Sequence, residues 1–236
     1  MLAQSKQAAM GEMISMIAHQ WRQPISVIGM SVNNMLIDIE LGELSEDGVK
    51  GCGSEILTEV DYLSKTIDDF RGFFKPSKKK ELANLQSIFD NTKNIIGKSL
   101  ENSAIDLIIN IEENIKLKIY KSELLQVLLN LINNAKDALQ DSDTDSKKIE
   151  LQAYKEDDFI VFKICDNAGG VELGIIDKIF EPYFSTKLQK NGTGLGLYMS
   201  KIIVDKHLLG KIWVENSSNG ACFMIKIPLK IVEDSE

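Results

Sequence analysis

The sequence predicts a multidomain chain, in which an N-terminal antiparallel helical hairpin that forms a dimeric four-helix bundle is followed by an α/β sandwich. Two observations predict this order. Up to Phe74, apolar residues recur at alternating steps of three and four, the spacing of helices packed along one seam. Beyond a break at FKPSKKKE, residues 74–81, helical stretches alternate with short strand-like stretches, as they do in α/β domains.

The hairpin is predicted from one helix over residues 4–42 and a second from a cap at Ser45 to Phe74. Gly48, Gly51 and Gly53, each costing about 1 kcal/mol relative to alanine, predict a frayed or broken start to the second helix. Because two helices cannot bury one seam alone, we expect two hairpins to pair as a bundle. The seam positions are Ile14, Ile17, Trp21, Pro24, Ile28, Val32, Met35 and Ile39, then Ile56, Val60, Leu63, Ile67, Phe70 and Phe74.

The hairpin is expected to end before Pro76, which cannot continue a helix. The predicted boundaries are 1–75 for the hairpin, 76–82 for a linker, 83–232 for the second domain and 233–236 for a disordered tail. In the second domain we predict helices over LQSIFDNTKNIIGKSL, SELLQVLLNLINNAKDALQ, capped by Ser122, and GLGLYMSKIIVDKHL. The predicted strands are IDLIINI, IKLKIY, IELQAY, FIVFKIC, KIWVEN and ACFMIKIPL.

Composition excludes some classes of partner. A net charge of −8 over 236 residues argues against nucleic acid or an anionic membrane surface. No apolar run has the length of a membrane span, and the helix-forming start MLAQSKQAAM is not a targeting sequence, so we expect no membrane contact by this piece. Cys52, Cys165 and Cys222 form no CxxC pair and predict free thiols in a reducing compartment, without zinc or disulfides.

A polar stripe on the first helix includes one of the two histidines. Ser15, His19, Arg22 and Ser26 lie at steps of three and four on the side opposite the seam. His19 is therefore expected on the outer flank of the bundle. Pro24 lacks the amide of a regular helix, so we expect a bend one turn after His19.

The second domain places polar and glycine-rich stretches where a nucleotide could bind. Asn130 and Asn134 share a helix face, and their amide oxygens suit Mg²⁺ when a triphosphate supplies the negative charge. Asp166 follows a strand and can accept a hydrogen bond from an exocyclic amine, while Gly169 and Gly170 allow close approach of a flat ring. The loop NGTGLGL, residues 191–197, opens a helix and suits phosphate. The irregular span 167–193 is typical of a lid.

In their order and spacing these motifs resemble those of the bacterial sensor histidine kinases of two-component signalling, over nearly the whole chain. HQWRQP looks like the H box, NLINNAKDA the N box, DNAGG the first G box, FEPYFSTK the F box and GTGLGL the second G box. The resemblance implies a dimerisation and phosphotransfer hairpin followed by a Bergerat-type ATP-binding domain. It also implies sensory parts upstream, a cytoplasmic location, and a parent protein anchored in the inner membrane.

The resemblance implies a role for particular residues. His19 would accept the γ-phosphoryl group of ATP and pass it to an aspartate on the receiver domain of a response regulator. Gln20 would orient the imidazole, and Asn134 would bind Mg²⁺ with help from Asn130. The residues implied to contact ATP are Asn130, Asn134, Asp137, Asp166, Ala168, Gly170, Phe180, Lys187, Gly192, Thr193, Gly194, Leu195, Gly196 and Leu197.

Three positions depart from the family pattern. Gln20 replaces the acidic residue that usually follows the histidine; our hypothesis is that a neutral imidazole is already a nucleophile near neutral pH. Gln23 replaces the Thr or Asn that serves dephosphorylation of the regulator, which puts phosphatase activity in doubt. Ala168 replaces the first glycine of DxGxG, and its small side chain is expected to leave ATP binding intact.

Two alternative functions remain open at this point. The first is a hydrolytic ATPase of the same nucleotide fold, such as a chaperone, gyrase or mismatch-repair protein. Those proteins use a glutamate where this chain has Asn130, which cannot act as a general base. The second is a dimeric scaffold without catalysis, which the intact nucleotide motifs argue against. His207 is expected only to stabilise a helix C-terminus.

Overall fold

The structure is a computed structural model that describes residues 2–74, 79–112, 115–186 and 194–229. For residues 2–20, 65 and 68–74 it describes the backbone alone. The chain divides into two compact units, one built around the N-terminal hairpin and the other around a β-sheet. No helix in the described ranges is both long and apolar enough to cross a membrane.

The hairpin consists of helix α1, Leu2–Leu41, and helix α2, Glu46–Phe74. Ser45 caps α2 as predicted, because its Oγ accepts a hydrogen bond from the Gly48 amide at 3.0 Å. The predicted break near the helix start is wrong, since α2 is continuous through its three glycines. The cap, two acidic residues in the first turn and the Glu46–Lys50 ion pair at 2.6 Å offset the cost of those glycines.

The predicted seam is only partly covered within one hairpin. Pro24 is buried and Ile28 and Met35 are half-buried, whereas Val32 and Ile39 are 41% and 57% exposed. The two helices pack on each other, and many of their apolar side chains remain in contact with water. Those more than two-fifths exposed are Ile25, Met30, Val32, Leu36, Ile37, Ile39, Leu41, Leu44, Val49, Leu57, Val60 and Ile67.

The second unit is an α/β sandwich with one five-stranded sheet. Its strands are β1 Glu81–Asn84, β2 Ile105–Ile111, β3 Lys116–Ile119, β4 Lys147–Glu156, β5 Phe159–Asp166, β6 Lys211–Asn216 and β7 Ala221–Pro228. Its helices are α3 Leu85–Glu101, α4 Lys121–Asp141 and α5 Gly196–Ile202, and a π-helical turn, Ile203–His207, extends α5. The sheet order is β2-β4-β5-β7-β6; β2 and β4 are parallel, and the other neighbours are antiparallel.

The helix and strand predictions for this unit agree with the structure except at three places. Strand β1 was not predicted; it begins at Glu81, inside the expected linker 76–82, and pairs with β3. The predicted cap at Ser122 is wrong, because α4 begins at Lys121 and its N-cap, Tyr120, makes no side-chain cap bond. The third helix does not stay α-helical to its end, where the π-helical turn replaces its last residues.

The core lies between one face of the sheet and the helices. In β4 the buried residues alternate, as they do in strands with one face on a core, whereas in β5 Ile160, Val161 and Phe162 are buried in succession. Phe162 of β5 stacks on Phe89 of α3 with ring centroids 6.1 Å apart. The inward side chains of α4 include Leu124, Val127, Leu128, Leu131 and Ile132, all fully buried. This packing fixes α4 on the sheet and orients its polar face.

The prediction of three free thiols is wrong. Cys165 and Cys222 form a disulfide, and Cys52 is the free cysteine. The two bonded residues lie directly opposite each other on the antiparallel strands β5 and β7, with Cα atoms 4.1 Å apart. They are 57 positions apart in the sequence, so only the strand pairing brings them together.

Candidate functional site

The first part of the site is the contact between α4 and the start of α5. Asn130 donates a hydrogen bond from its Nδ2 to Ser200 Oγ at 2.8 Å, and Ser200 is only 2% exposed. Gly196 lies against the same asparagine, because a Cβ atom at this position would overlap Asn130 Oδ1. Glycine is therefore required here for close approach. The end of the glycine-rich loop is held beside the asparagine face of α4.

Asn134 lies one helical turn beyond Asn130 on that face. Its Nδ2 is buried and has no hydrogen-bond partner in the part of the chain that the structure describes. A buried donor left unpaired costs about 1–3 kcal/mol, so it usually marks a missing partner. Asp137, predicted to contact the nucleotide, follows at the next turn and is half-buried. The amide of Asn134 has the chemistry to bind a phosphate oxygen or, through its oxygen, a divalent cation.

The second part of the site is the end of β5. Asp166 is 8% exposed, and its Oδ1 accepts hydrogen bonds from the backbone amides of Ala168 at 2.9 Å and Ala221 at 3.3 Å. Burial raises the pKa of the Asp166 carboxyl, and the two backbone amides partly oppose that shift. Because both bonds end on Oδ1, Oδ2 is the oxygen that can accept a hydrogen bond from a ligand.

The turn after Asp166 is shaped by two glycines and one asparagine. Gly169 and Gly170 have φ values of +98° and +90°, which L side chains rarely adopt. A Cβ atom at Gly170 would lie 2.8 Å from Asn216 Oδ1. Asn216 in turn accepts from the Val171 amide at 2.8 Å and donates to the Val171 carbonyl at 2.7 Å. Sequence reasoning missed Asn216, because nothing in KIWVEN distinguishes a residue that binds a distant turn.

An acidic loop borders the other side of this turn. Asn167 donates to the Ser146 carbonyl at 2.7 Å and accepts from the Lys148 amide at 2.8 Å, and Thr144 donates to the Asn167 carbonyl at 3.1 Å. These bonds fix the loop to the end of β5. A cavity of 630 Å³ lies beside this loop and the turn after Asp166; it is lined by Asp141, Ser142, Asp143, Thr144, Asn167, Ala168, Gly169 and Asn219. Of the predicted nucleotide contacts, Ala168 lies in its wall.

The remaining predicted contacts fall in three groups. Phe180 is half-buried and packs edge-on against Phe223, with ring centroids 6.3 Å apart. Gly194 has a φ of +63°, Leu195 is 1% exposed and Leu197 is half-buried. Residues that lie outside the described ranges are Lys187, Gly192 and Thr193.

His19 and Gln20 belong to α1, and the structure describes only the backbone of these two residues. His207, expected only at a helix end, is instead 2% exposed, and its Nδ1 lies 3.0 Å from Oε2 of Glu123. Sequence reasoning missed this pair, because its members are 84 positions apart.

In the described ranges, no group of three or more His, Cys, Asp or Glu side chains could hold a metal ion. A divalent cation at this site would therefore depend on the neutral amides of α4 and on oxygens brought by its ligand. That donor set suits Mg²⁺, which binds proteins through few protein ligands together with substrate phosphates. In Asn134 the amide oxygen would serve the cation, while the unpaired Nδ2 could donate to a phosphate oxygen of the ligand.

Comparison with known proteins assigns the second unit to a family of ATPase domains. Residues 120–231 match the family described as "Histidine kinase-, DNA gyrase B-, and HSP90-like ATPase". The two-component sensor PprA of Pseudomonas aeruginosa is 30% identical over 230 residues, which are 95% of this chain and 25% of that protein. The signal transduction histidine-protein kinase AtoS of Escherichia coli is 29% identical over 94% of this chain and 35% of that protein. The chain thus spans a quarter to about a third of these relatives.

Solved structures agree with both units. The catalytic domain of the histidine kinase ThkA is 26% identical to this chain and matches it with a TM-score of 0.58. The match covers 64% of this chain and 97% of the ThkA domain. The structure of ThkA in complex with the response regulator protein TrrA matches with a TM-score of 0.69 at 23% identity. This match covers 96% of this chain and 64% of the ThkA chain. The second comparison supports the arrangement of a helical hairpin followed by an α/β sandwich. Over nearly its whole length the chain is thus similar to the catalytic cores of sensor histidine kinases, and its residues 120–231 match the ATPase family described above.

Proposed function

We propose that this chain transfers the γ-phosphoryl group of ATP to His19 and then to an aspartate on the receiver domain of a response regulator. The observation that carries the proposal is the buried, unpaired Nδ2 of Asn134, one turn from Asn130 and the end of the glycine-rich loop. A phosphate oxygen would accept the hydrogen bond that this donor lacks, and the amide oxygen of the same side chain could bind the accompanying cation.

Asp166 is proposed to read the adenine base. Its Oδ1 is held by two backbone amides, so the orientation of Oδ2 is fixed before a ligand arrives. An ionised carboxylate accepts a hydrogen bond from an exocyclic amine, as adenine offers. Gly170 has no side chain to block a flat ring, and Asn216 holds the backbone next to it. This end of the site therefore selects an amino-substituted base.

Asn134 and Asn130 are proposed to hold Mg²⁺ and the phosphates. Neutral amide oxygens add no further negative charge beside a triphosphate, so the cation would neutralise charge on the transferred group. Ser200 fixes the Asn130 side chain through a 2.8 Å bond. Asn130 itself cannot accept a proton from water, which favours transfer to a protein side chain over hydrolysis.

The hairpin is proposed to dimerise. The apolar side chains of α1 and α2 that are more than two-fifths exposed are of the kind that a second hairpin covers in a four-helix bundle. We propose residues 1–75 as this dimerisation and phosphotransfer part, 76–82 as the linker and 83–232 as the ATP-binding part. The cytoplasmic location, and the roles of Gln20 and Gln23, stay predictions.

Incorporation of labelled phosphate tests the proposal at Asn134. The whole chain is incubated with Mg²⁺ and γ-labelled ATP beside the variants Asn134→Ala and Asn133→Ala. Asn133 is an exposed neighbour on the same helix, so its variant is the matched control. We expect label on the native chain and the control and its loss in Asn134→Ala. Equal labelling of all three would contradict the proposed site.

A further inference from the structure

Two polar bridges join α4 to the helical segment formed by α5 and its π-helical turn. Asn130 binds Ser200, and Glu123 binds His207. On α4, Asn130 follows Glu123 by seven positions. On the other segment, Ser200, the partner of Asn130, precedes His207 by seven positions. The segments therefore run antiparallel, with the bridges about two helical turns apart. Seven residues return nearly to the same helix face, so both bridges lie along one contact line.

The bridge far from the nucleotide site is buried on both sides. His207 is 2% exposed and Glu123 is 5% exposed, and the Nδ1–Oε2 distance is 3.0 Å. Ile203 and Val204, on the turns between the two bridges, are fully buried apolar side chains. Apolar contacts tolerate small sliding of one helix along another, whereas a buried polar pair is satisfied in only one register.

The backbone at His207 is also specialised. Residues Ile203–His207 form a π-helical turn, a rare widening that occurs often at functional sites. Just beyond it, the Gly210 amide donates to the Val204 carbonyl at 2.9 Å, and a Cβ atom at Gly210 would overlap the Lys226 carbonyl of β7. The end of this segment is thus fixed on the sheet as well as on α4.

We propose that Glu123 and His207 are a positioning pair that fixes the register of α5 on α4. In that register Ser200 meets Asn130, and Gly196 approaches the same side chain closely enough to exclude a Cβ atom. The pair touches no nucleotide and acts through Asn130. The inference rests on the proposed ATP site for its effect on activity, whereas its effect on Asn130 does not depend on ATP.

The test replaces the polar pair with an apolar one in the whole chain. The double variant Glu123→Leu/His207→Leu removes both members of the buried pair together, so it is expected to unfold at or above the native temperature. The affinity for trinitrophenyl-ATP is expected to fall roughly tenfold, because small misplacements in a site have large effects. The side-chain amide resonances of Asn130 are expected to move without nucleotide, while those of the exposed Asn133 stay in place.

The variant Glu123→Gln keeps an oxygen acceptor for His207 and serves as the conservative control, so it should retain native affinity and native Asn130 resonances. If the double variant does not fold, Glu123→Met/His207→Phe, which also removes both members of the pair, makes the same comparison with Glu123→Gln. The inference would be overturned if a variant that lacks the pair folds and keeps both the native Asn130 resonances and the native affinity. If the native chain binds no nucleotide, the proposed function fails, and the Asn130 resonances alone decide the positioning role.

Discussion

The carbonyl oxygen of Asp166 occupies the space that a Cβ atom at Gly220 would need. Gly220 is buried in the turn between β6 and β7, where its amide and carbonyl both bind Ser217 Oγ. The next residue, Ala221, donates its amide to Asp166 Oδ1. The turn between β6 and β7, which lies far along the chain from Asp166, therefore forms the wall behind the residue proposed to read adenine.

Gly220→Ala is predicted to destabilise the chain by about 1–3 kcal/mol, because the backbone at Asp166 must move to admit a methyl group. Its affinity for ATP should fall as well. Chemical unfolding and nucleotide binding measure the two effects. The matched control is Gly97→Ala in α3, where a Cβ atom meets only ordinary contacts, and a gain of about 0.5–1 kcal/mol is expected. Native-like behaviour of Gly220→Ala would show that the turn is not a rigid wall.

Asn134→Ala is predicted to weaken nucleotide binding without loss of stability. Its Nδ2 has no partner among the described residues, so its removal deletes a desolvated donor rather than a hydrogen bond. Asn130→Ala breaks the bond to Ser200 and should lower the free energy of unfolding by about 1 kcal/mol. Unfolding and binding measured together separate the two asparagines. A large loss of stability in Asn134→Ala would mean that its amide already has a structural partner.

The Asp166 carboxyl predicts a dependence of stability on pH. Burial raises the pKa of this carboxyl above its ordinary value of 3.8. At pH values between 3.8 and the folded pKa, the folded state therefore binds more protons than the unfolded state. Its contribution to the free energy of unfolding is therefore lost as pH rises from 3.8 through the folded pKa. Asp166→Asn, which keeps an oxygen for both backbone amides, should be more stable than the native chain at pH 7, with the difference shrinking towards pH 3.8.

The same variant should bind ATP less tightly, because an amide nitrogen in place of Oδ2 would face the adenine amine with a second donor. Titration with ATP at neutral pH measures this loss. Unchanged affinity in Asp166→Asn would remove Asp166 from the base-reading role, whatever its effect on stability.

The Cys165–Cys222 disulfide predicts a difference between oxidised and reduced chain. The bond closes a loop with a sequence separation of 57, so its reduction should lower the free energy of unfolding by about 2–4 kcal/mol. A thiol reagent added to the unfolded, unreduced chain should find one free thiol, that of Cys52, and three after reduction. Three reactive thiols before reduction would show that the two strands are not joined.

Local patterns predicted most of the fold. The helices of the hairpin and the strands of the sheet depend on patterns among neighbours in sequence, and the structure contains the predicted elements. The missed features depend on distant pairing. Strand β1 exists because it pairs with β3, and the disulfide forms because β5 and β7 align Cys165 with Cys222.

The candidate site divides in the same way. Asn130, Asn134 and Asp166 were predicted because helix spacing and position after a strand mark them in the sequence. Asn216 and Gly220 were missed, since their importance lies in contacts with a turn some fifty positions earlier. The buried pair of Glu123 and His207 was missed for the same reason: the burial of a histidine depends on the helix it packs against.

The most direct test of the central claim is the acid lability of the phosphoryl group on the intact chain. The native chain and a His19→Gln variant are incubated with Mg²⁺ and γ-labelled ATP, and the label is then challenged with acid and with base. The account predicts label on the native chain alone, lost in acid and stable in base. Label on both chains, or label that survives acid, would place the phosphoryl group elsewhere and contradict the account.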